Sequence, residues 1–344
     1  MKAVEITRHG GPEVLRIVQR PVPEVGRADV LVRVAASSVN RPDIAQRLGV
    51  YPPPPGVTDI PGLDLAGVVE RVGPEVPNWR PGDRVCALVA GGAYAEYCAV
   101  PWQQCMPIPA GLDFVQAASL PEVFFTAWNN VMDLGRLGPG ESLLVQGGAS
   151  GVGVAAIQMA CLLRNATVYS TAGTEHKCRV SETLGACRAF NYRTEDWSEG
   201  VRAMTAGRGV DMVLDHQAGD YTAREMSLLA PGGRLVLITA HRGRFAEIDV
   251  LDVVLRRLTL TGSTLRARPP SFKGEIARRL VLEVWPLLSS GRIRTLMHEV
   301  FPLEDVARAQ SILDDNAQVG KVGLIVDETL AAQQTDRPSV HASA

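Results

Sequence analysis

SLLVQGGASGVGVAAIQ, residues 142–158, runs an apolar strand-like segment into a glycine-rich turn and straight on into a helical pattern. That order matters more than the glycines alone, because a strand, a tight turn and a helix N-terminus together make an anion cradle. Gly148, Gly151 and Gly153 permit a tight turn, close approach of backbone to a pyrophosphate and close helix packing, with Ser150 and Val152 between them. The first helical N–H groups have no carbonyl partner of their own and face the anion. The spacing departs from a strict GxGxxG, so glycines that merely turn the chain are the competing reading.

Moving outward from this turn, apolar runs alternate with helical patterns, as in βαβ units. Residues 142–147, 167–172, 188–192, 210–216, 234–239 and 258–264 read as six strands, enough for a complete doubly wound parallel sheet. Val154, Ile157 and Cys161 recur at helical spacing and give the first helix one face to pack on that sheet. Toward the N-terminus the period changes to alternation broken by Pro and Gly, in residues 30–37, 65–73, 83–89 and 93–100. This suggests a compact, partly open β-barrel. After residue 264 come a helical stretch, the segment FPLEDVARAQSILDDN and the strand-like KVGLIVD, which we expect to return to the first domain. The expected domains are 1–122 with 267–330, and 123–266; the polar, aperiodic residues 331–344 read as a disordered tail.

Composition narrows the function classes. A chain of 344 residues that is 46% hydrophobic can bury two ordinary cores. Lys+Arg 35 against Asp+Glu 37 gives no overall field for nucleic acid or an anionic membrane, so a small-molecule substrate fits better. The six cysteines are scattered, as in a reducing cytosol, and no segment has the apolar length of a signal peptide or a membrane span. We expect a soluble, cytoplasmic protein.

The end of the second strand bears on the cofactor. An NAD-preferring site carries Asp or Glu about 20 residues after the turn, to hold the ribose 2′-hydroxyl. Here the residues are Ser170, Thr171, Ala172, Gly173 and Thr174, with Lys177 just beyond. Small hydroxyl residues and a cation suit a 2′-phosphate, which predicts NADPH. Glu175 dissents, and Lys177 also reads as an ordinary solvated side chain. Tyr192 either flanks the adenosine phosphate or caps the core.

These features in this order resemble the medium-chain dehydrogenase/reductase superfamily, from residue 1 to about 327. VAASSVNRPDIAQRLGVYPPPPG, MPIPAGLDFVQAASLPE, TAGTEHK, FNY and GSTLRARP resemble its quinone oxidoreductase branch, of the p53-inducible quinone reductase type. The resemblance implies a GroES-like catalytic domain from both chain ends, a Rossmann domain between them and a substrate cleft at the junction. It also implies hydride transfer from NADPH to quinones or other conjugated carbonyls. Where zinc-dependent members carry their ligands, this chain reads Asn40-Arg41-Pro42-Asp43 and Gly62-Leu63-Asp64, and no CxxC pair is present, so no zinc is expected.

Asn40 resembles the family asparagine beside the nicotinamide, and its amide suits donation to a carbonyl; a loop-capping Asn is the alternative. Tyr51, between Gly49 and four prolines, is held to stack on a ring or donate a proton, or it simply packs on the prolines. Asp43 suits orienting Asn40 or a water, and Asp64 suits holding backbone N–H groups. Phe124, Phe125 and Trp128 read mainly as core, while Thr126 reaches toward the nicotinamide or its ribose. Thr264 and Leu265 occupy family positions beside the nicotinamide. Arg266 and Arg268 read as anion-binding or as exposed loop residues. His241 and Arg242 depart from a glycine-rich family stretch and bear on the substrate. Lys321, after Gly320, either reaches the pyrophosphate or lies on the surface. Rival readings are an enoyl-thioester or enone reductase and a non-catalytic NADPH-binding protein. The exposed edge of the last parallel strand predicts a homodimer.

Overall fold

The computed structural model describes residues 1–333, which form two compact units. One comprises Met1–Phe125 and residues 265–333, the other Thr126–Thr264. The part of the expected tail at 334–344 lies outside the described residues; Glu328–Ala331, just before it, is a short helix.

The contiguous unit holds six parallel strands. Across the sheet they run Arg188–Asn191, Thr167–Ala172, Ser142–Val145, Val210–Asp215, Leu229–Leu237 and Thr259–Gly262, so their chain order is 3-2-1-4-5-6. All six anticipated strands are present, and the fifth begins earlier than its sequence pattern suggests. The inner strands read as unbroken apolar runs because both faces are covered: Leu143, Leu144, Val213 and Leu235 are fully buried. Each such side chain contributes about 1.5–3 kcal/mol of burial. The helix Gly151–Arg164 turns Val154 and Ile157 inward and ends on Asn165, whose left-handed conformation (φ 49°) stops it. The order reverses where the first strand meets the fourth, and in such sheets ligands bind beyond the carboxyl ends of strands at that switch point.

The other unit is built from both ends of the chain. Its sheet runs Met297–Pro302, Lys321–Ile325, Asp29–Val39, Asp64–Val72, Arg84–Leu88 and Cys105–Pro107, with Tyr97–Pro101 also paired to Asp29–Val39. The path is open. Lys2–Ile6 and Leu15–Gln19 form a separate two-stranded sheet. Val322 pairs with Val39, a register that sets Lys321 opposite Asn40. Four short strands escaped the sequence reading: Lys2–Ile6, Leu15–Gln19, Cys105–Pro107 and Met297–Pro302. Met297–Pro302 is an edge with only Phe301 buried, so it carries almost no alternation to detect.

Candidate active site

Two groups of candidate residues form, one in each unit. In the contiguous unit the glycine-rich turn is shaped by close contact. A Cβ on Gly153 would fall on the Gly147 carbonyl oxygen and come within 2.7 Å of Gly148 Cα; one on Gly148 would strike the Ser170 hydroxyl. Only glycine fits either place. Ser150 caps the helix, its Oγ accepting from Gly153 N at 3.1 Å. The amides of Gly151 and Val152, which no helical carbonyl can satisfy, remain at the helix start for an anion.

The second strand departs from expectation in detail. Thr171 is buried, and its hydroxyl donates to Gln146 Oε1 (2.6 Å) while accepting from Gly147 N (3.2 Å). Its hydroxyl thus holds the turn from beneath. The Ser170 hydroxyl is likewise inward, donating to Val145 O at 3.1 Å. Thr174 caps the next helix by accepting from Lys177 N at 3.2 Å. Glu175, the dissenting acid, is drawn to Asn191 Nδ2 at 2.9 Å. Tyr192 is 42% exposed, so it does not cap the core. A Cβ on Gly173 would meet the Tyr192 hydroxyl at 2.5 Å and Arg193 Nε at 3.5 Å. Arg193, which sequence reasoning missed, therefore places an exposed cation at this lip; its position directly after Tyr192 was the available signal.

Thr126 and Ser263, the residue before Thr264, are linked by a residue not anticipated. Asn130 Nδ2 donates to Thr126 O (2.7 Å), and Asn130 Oδ1 accepts from Ser263 Oγ (2.6 Å). Asn130 lies in the wide π-helical turn Trp128–Leu134, a geometry common at functional sites. His216 and His241 also meet, edge to face with ring centroids 5.9 Å apart, and a Cβ on Gly147 would come 2.5 Å from the His216 ring. Arg242 forms an exposed pair with Asp220.

In the discontinuous unit Asn40 stands at the N-cap of Arg41–Arg47, its N–H donating to Asp43 Oδ2 at 2.8 Å. Its amide oxygen accepts a short hydrogen bond from Lys321 Nζ. Since an ammonium only donates, this contact fixes which way the amide faces. Asn40 Nδ2 donates one hydrogen to Ser38 O at 3.3 Å, and a second remains. The three Lys321 protons go to Asn40 Oδ1, Val39 O (3.3 Å) and Asp64 Oδ2 (3.4 Å). Lys321 is buried, which rules out the surface reading, and its charge is spent on Asn40 and Asp64 and not on reaching outward. Asp64, fully buried, also accepts from Ser38 N and Oγ.

Asp43 accepts from Asn40 N, from the buried Tyr94 hydroxyl at 2.9 Å and from Gly62 N at 3.2 Å. Burial, seconded by the charge of Asp64, pushes the Asp43 carboxyl up to about 7. The stretches that would carry zinc ligands thus converge on a lysine ammonium. Among the described residues no three His, Cys, Asp or Glu side chains gather as a metal set.

Tyr51 is partly buried, and Arg266 lies over its ring at 5.4 Å. Burial raises the phenol's pKa and the guanidinium opposes the rise. Arg266 is buried, not an exposed loop cation: it donates to Ala90 O (2.7 Å), Tyr51 O (3.1 Å) and Gln46 Oε1 (2.5 Å). Arg268, by contrast, stacks on Phe272 at the surface. Leu265 O accepts from Arg268 N and closes the turn between them.

A 3-2-1-4-5-6 parallel sheet with a glycine-rich turn at its switch point defines a Rossmann-type dinucleotide-binding fold. Residues 26–110 match the family model described as alcohol dehydrogenase GroES-like domain, and 151–281 the one described as zinc-binding dehydrogenase. The quinone oxidoreductase of Lama guanicoe is 33% identical, over 95% of this chain and 98% of its own. The crystal structure of Escherichia coli quinone oxidoreductase complexed with NADPH is 29% identical with a TM-score of 0.86, covering 95% of this chain and all of that one. JamJ enoyl reductase is 25% identical with a TM-score of 0.82, covering 95% and 99%. The chain belongs to the medium-chain dehydrogenase/reductase superfamily and, within it, to the quinone oxidoreductase family.

Proposed function

We propose that the chain is a zinc-independent, NADPH-dependent quinone oxidoreductase that passes hydride from NADPH to quinones or related conjugated carbonyls. The observation that carries the reading is the Lys321 ammonium bound to Asp64 and Asn40, a fixed cation between the stretches where zinc-dependent members hold their metal. The glycine turn fits a dinucleotide: Gly148 and Gly153 have no room for a Cβ, and the capped helix leaves two amides for a pyrophosphate. Lys177 and Arg193 supply cations for a 2′-phosphate.

When bound, NADPH supplies the hydride. Asn40, its oxygen held by Lys321, offers the remaining Nδ2 hydrogen to a carbonyl oxygen as negative charge develops there. Tyr51 is the proton donor, its phenol kept neutral by burial and steered by Arg266. The test is NADPH oxidation by purified protein with ortho- and para-quinones, enones and enoyl thioesters, with NADH in parallel and after chelation. Quinone turnover that prefers NADPH and survives chelation supports the proposal. Turnover confined to enoyl thioesters would favour the rival reading, to which the likeness to JamJ enoyl reductase lends weight.

We also propose a homodimer. The edge strand Thr259–Gly262 pairs on one side only, and beside it in the chain the helix Val250–Arg256 has no buried residue. Val250, Leu251, Val254 and Leu255 are each 64–67% exposed, and an apolar face of this kind marks an interface. No helix among the described residues is long and apolar enough to cross a membrane. The six free cysteines fit the cytoplasm as its location.

A further inference from the structure

Beneath the dinucleotide turn runs a chain of buried polar groups that the proposed chemistry does not use. Gln146, Thr171, Asp215 and Glu225 are all 0–1% exposed. They come from the ends of the first, second and fourth strands and from the helix Asp220–Leu228. At one end, Thr171 holds the turn by accepting from Gly147 N with its hydroxyl and from Gly148 N (2.9 Å) with its carbonyl. The Thr171 hydroxyl donates to Gln146 Oε1, and Gln146 Nε2 donates to Glu225 Oε1 at 2.8 Å. At the other end, the two Asp215 oxygens accept from Gln217 N and Ala218 N, both at 2.6 Å, and so shape the loop after the fourth strand.

The join between the halves is where the chemistry lies. Glu225 Oε2 is buried and receives no hydrogen bond, and its carboxyl interacts with the buried carboxyl of Asp215 at the end of the fourth strand. Two carboxylate oxygens cannot hydrogen-bond without a proton between them. The charged groups acting on Glu225 are Asp215, from the facing strand, and Arg224, from its own helix; Gln146 is neutral. The guanidinium of Arg224 is occupied by Asp196 and Ser198, over the ring of Trp197. Asp215 already has two backbone donors, so the proton belongs on Glu225. Burial first, then the Asp215 charge, drives the Glu225 carboxyl well above its usual range, in agreement with the geometry.

We propose that Glu225 is a positioning residue for dinucleotide binding: protonated in the folded protein, it donates to Asp215 and, through Gln146 and Thr171, holds the glycine-rich turn. Loss of that proton would leave two buried carboxylates facing each other and loosen the turn. The inference rests on the proposed use of NADPH, but its protonation element can be read without any ligand.

The experiment compares wild type, Glu225→Gln and Glu225→Leu. NADPH affinity is followed by fluorescence from pH 6 to pH 10, and the infrared difference between wild type and Glu225→Gln is recorded without ligand. Glutamine can donate to Asp215 and accept from Gln146 at any pH, so Glu225→Gln should match wild type at low pH and outperform it at high pH. Glu225→Leu should bind about tenfold more weakly throughout, since it strands Gln146 and Asp215. The infrared difference should contain a protonated carboxyl band. Parallel pH profiles for wild type and Glu225→Gln, or absence of that band, would overturn the proposal whether or not Glu225→Leu folds. If wild type binds no NADPH at any pH while the band is present, the cofactor reading and the positioning role fall together, and the protonated acid stands.

Discussion

Replacing Lys321 by methionine keeps most of the side-chain volume and removes the ammonium. Asp64, fully buried, would then keep only Ser38 as donor, and Asn40 Oδ1 would lose the partner that sets its orientation. Removing one partner of a buried ion pair typically costs about 3–5 kcal/mol, because the remaining charge stays uncompensated. For a chain of this length that corresponds to a fall in Tm of roughly 4–7 °C. With Asn40 free to rotate, kcat for quinone reduction should fall by about 10- to 100-fold, while the Kd for NADPH changes little. The double variant Lys321→Met/Asp64→Asn separates the two effects. Removing both charges should restore most of the lost Tm, but not the rate, because Asn40 still lacks its donor. Thermal unfolding and steady-state kinetics on the wild type and the two variants are sufficient. A single variant as stable and as active as wild type would refute both the charge argument and the orienting role.

Gly153→Ala should abolish measurable NADPH binding by titration, since its Cβ would sit on the Gly147 carbonyl and within 2.7 Å of Gly148 Cα. Lys177→Ala and Arg193→Ala should each weaken NADPH by about 5- to 50-fold and leave NADH within twofold, as expected for charge-assisted bonds to one phosphate. Asp43 has a folded pKa of about 7 against an ordinary 3.8, so its favourable contribution is complete below about pH 4 and is lost as pH rises through 7. The full loss is on the order of 4 kcal/mol; Asp43→Asn should flatten that part of the Tm-against-pH curve, and an unchanged slope would count against it. Leu251→Glu should shift a dimer to monomer in analytical ultracentrifugation, whereas an unchanged sedimentation coefficient would remove this helix from the interface.

Much of the contiguous unit was legible because its strands are apolar runs separated by helical periods, and the turn at residues 147–153 sits between the first strand and helix with no insertion. What escaped were buried polar partners. Glu225 looks in sequence like any solvated acid on a helix, and only the arrival of Gln146 and Asp215 from other strands gives it a task. The same holds for Thr171: its hydroxyl type is visible in the sequence, but the direction it faces depends on Gly147 and Gln146. Lys321 was singled out for a different role, because the strand register that brings it against Asn40 joins positions almost 300 residues apart. Short edge strands such as Met297–Pro302 lack a face that must be apolar and so leave no pattern.

The strand that carries Lys321 is the last strand of its sheet to be synthesised, and it pairs with Asp29–Val39, the longest strand of that sheet. On the ribosome, residues 126–264 can complete their own core as soon as they emerge, because every strand of their sheet is local to that segment. In the other unit the strands between residues 29 and 107 can pair with one another once made, but Asp64 lacks its lysine partner until the chain has passed residue 321. The Lys321–Asp64 pair is thus among the last contacts of its unit that synthesis permits, whereas the contiguous unit needs nothing made after residue 264.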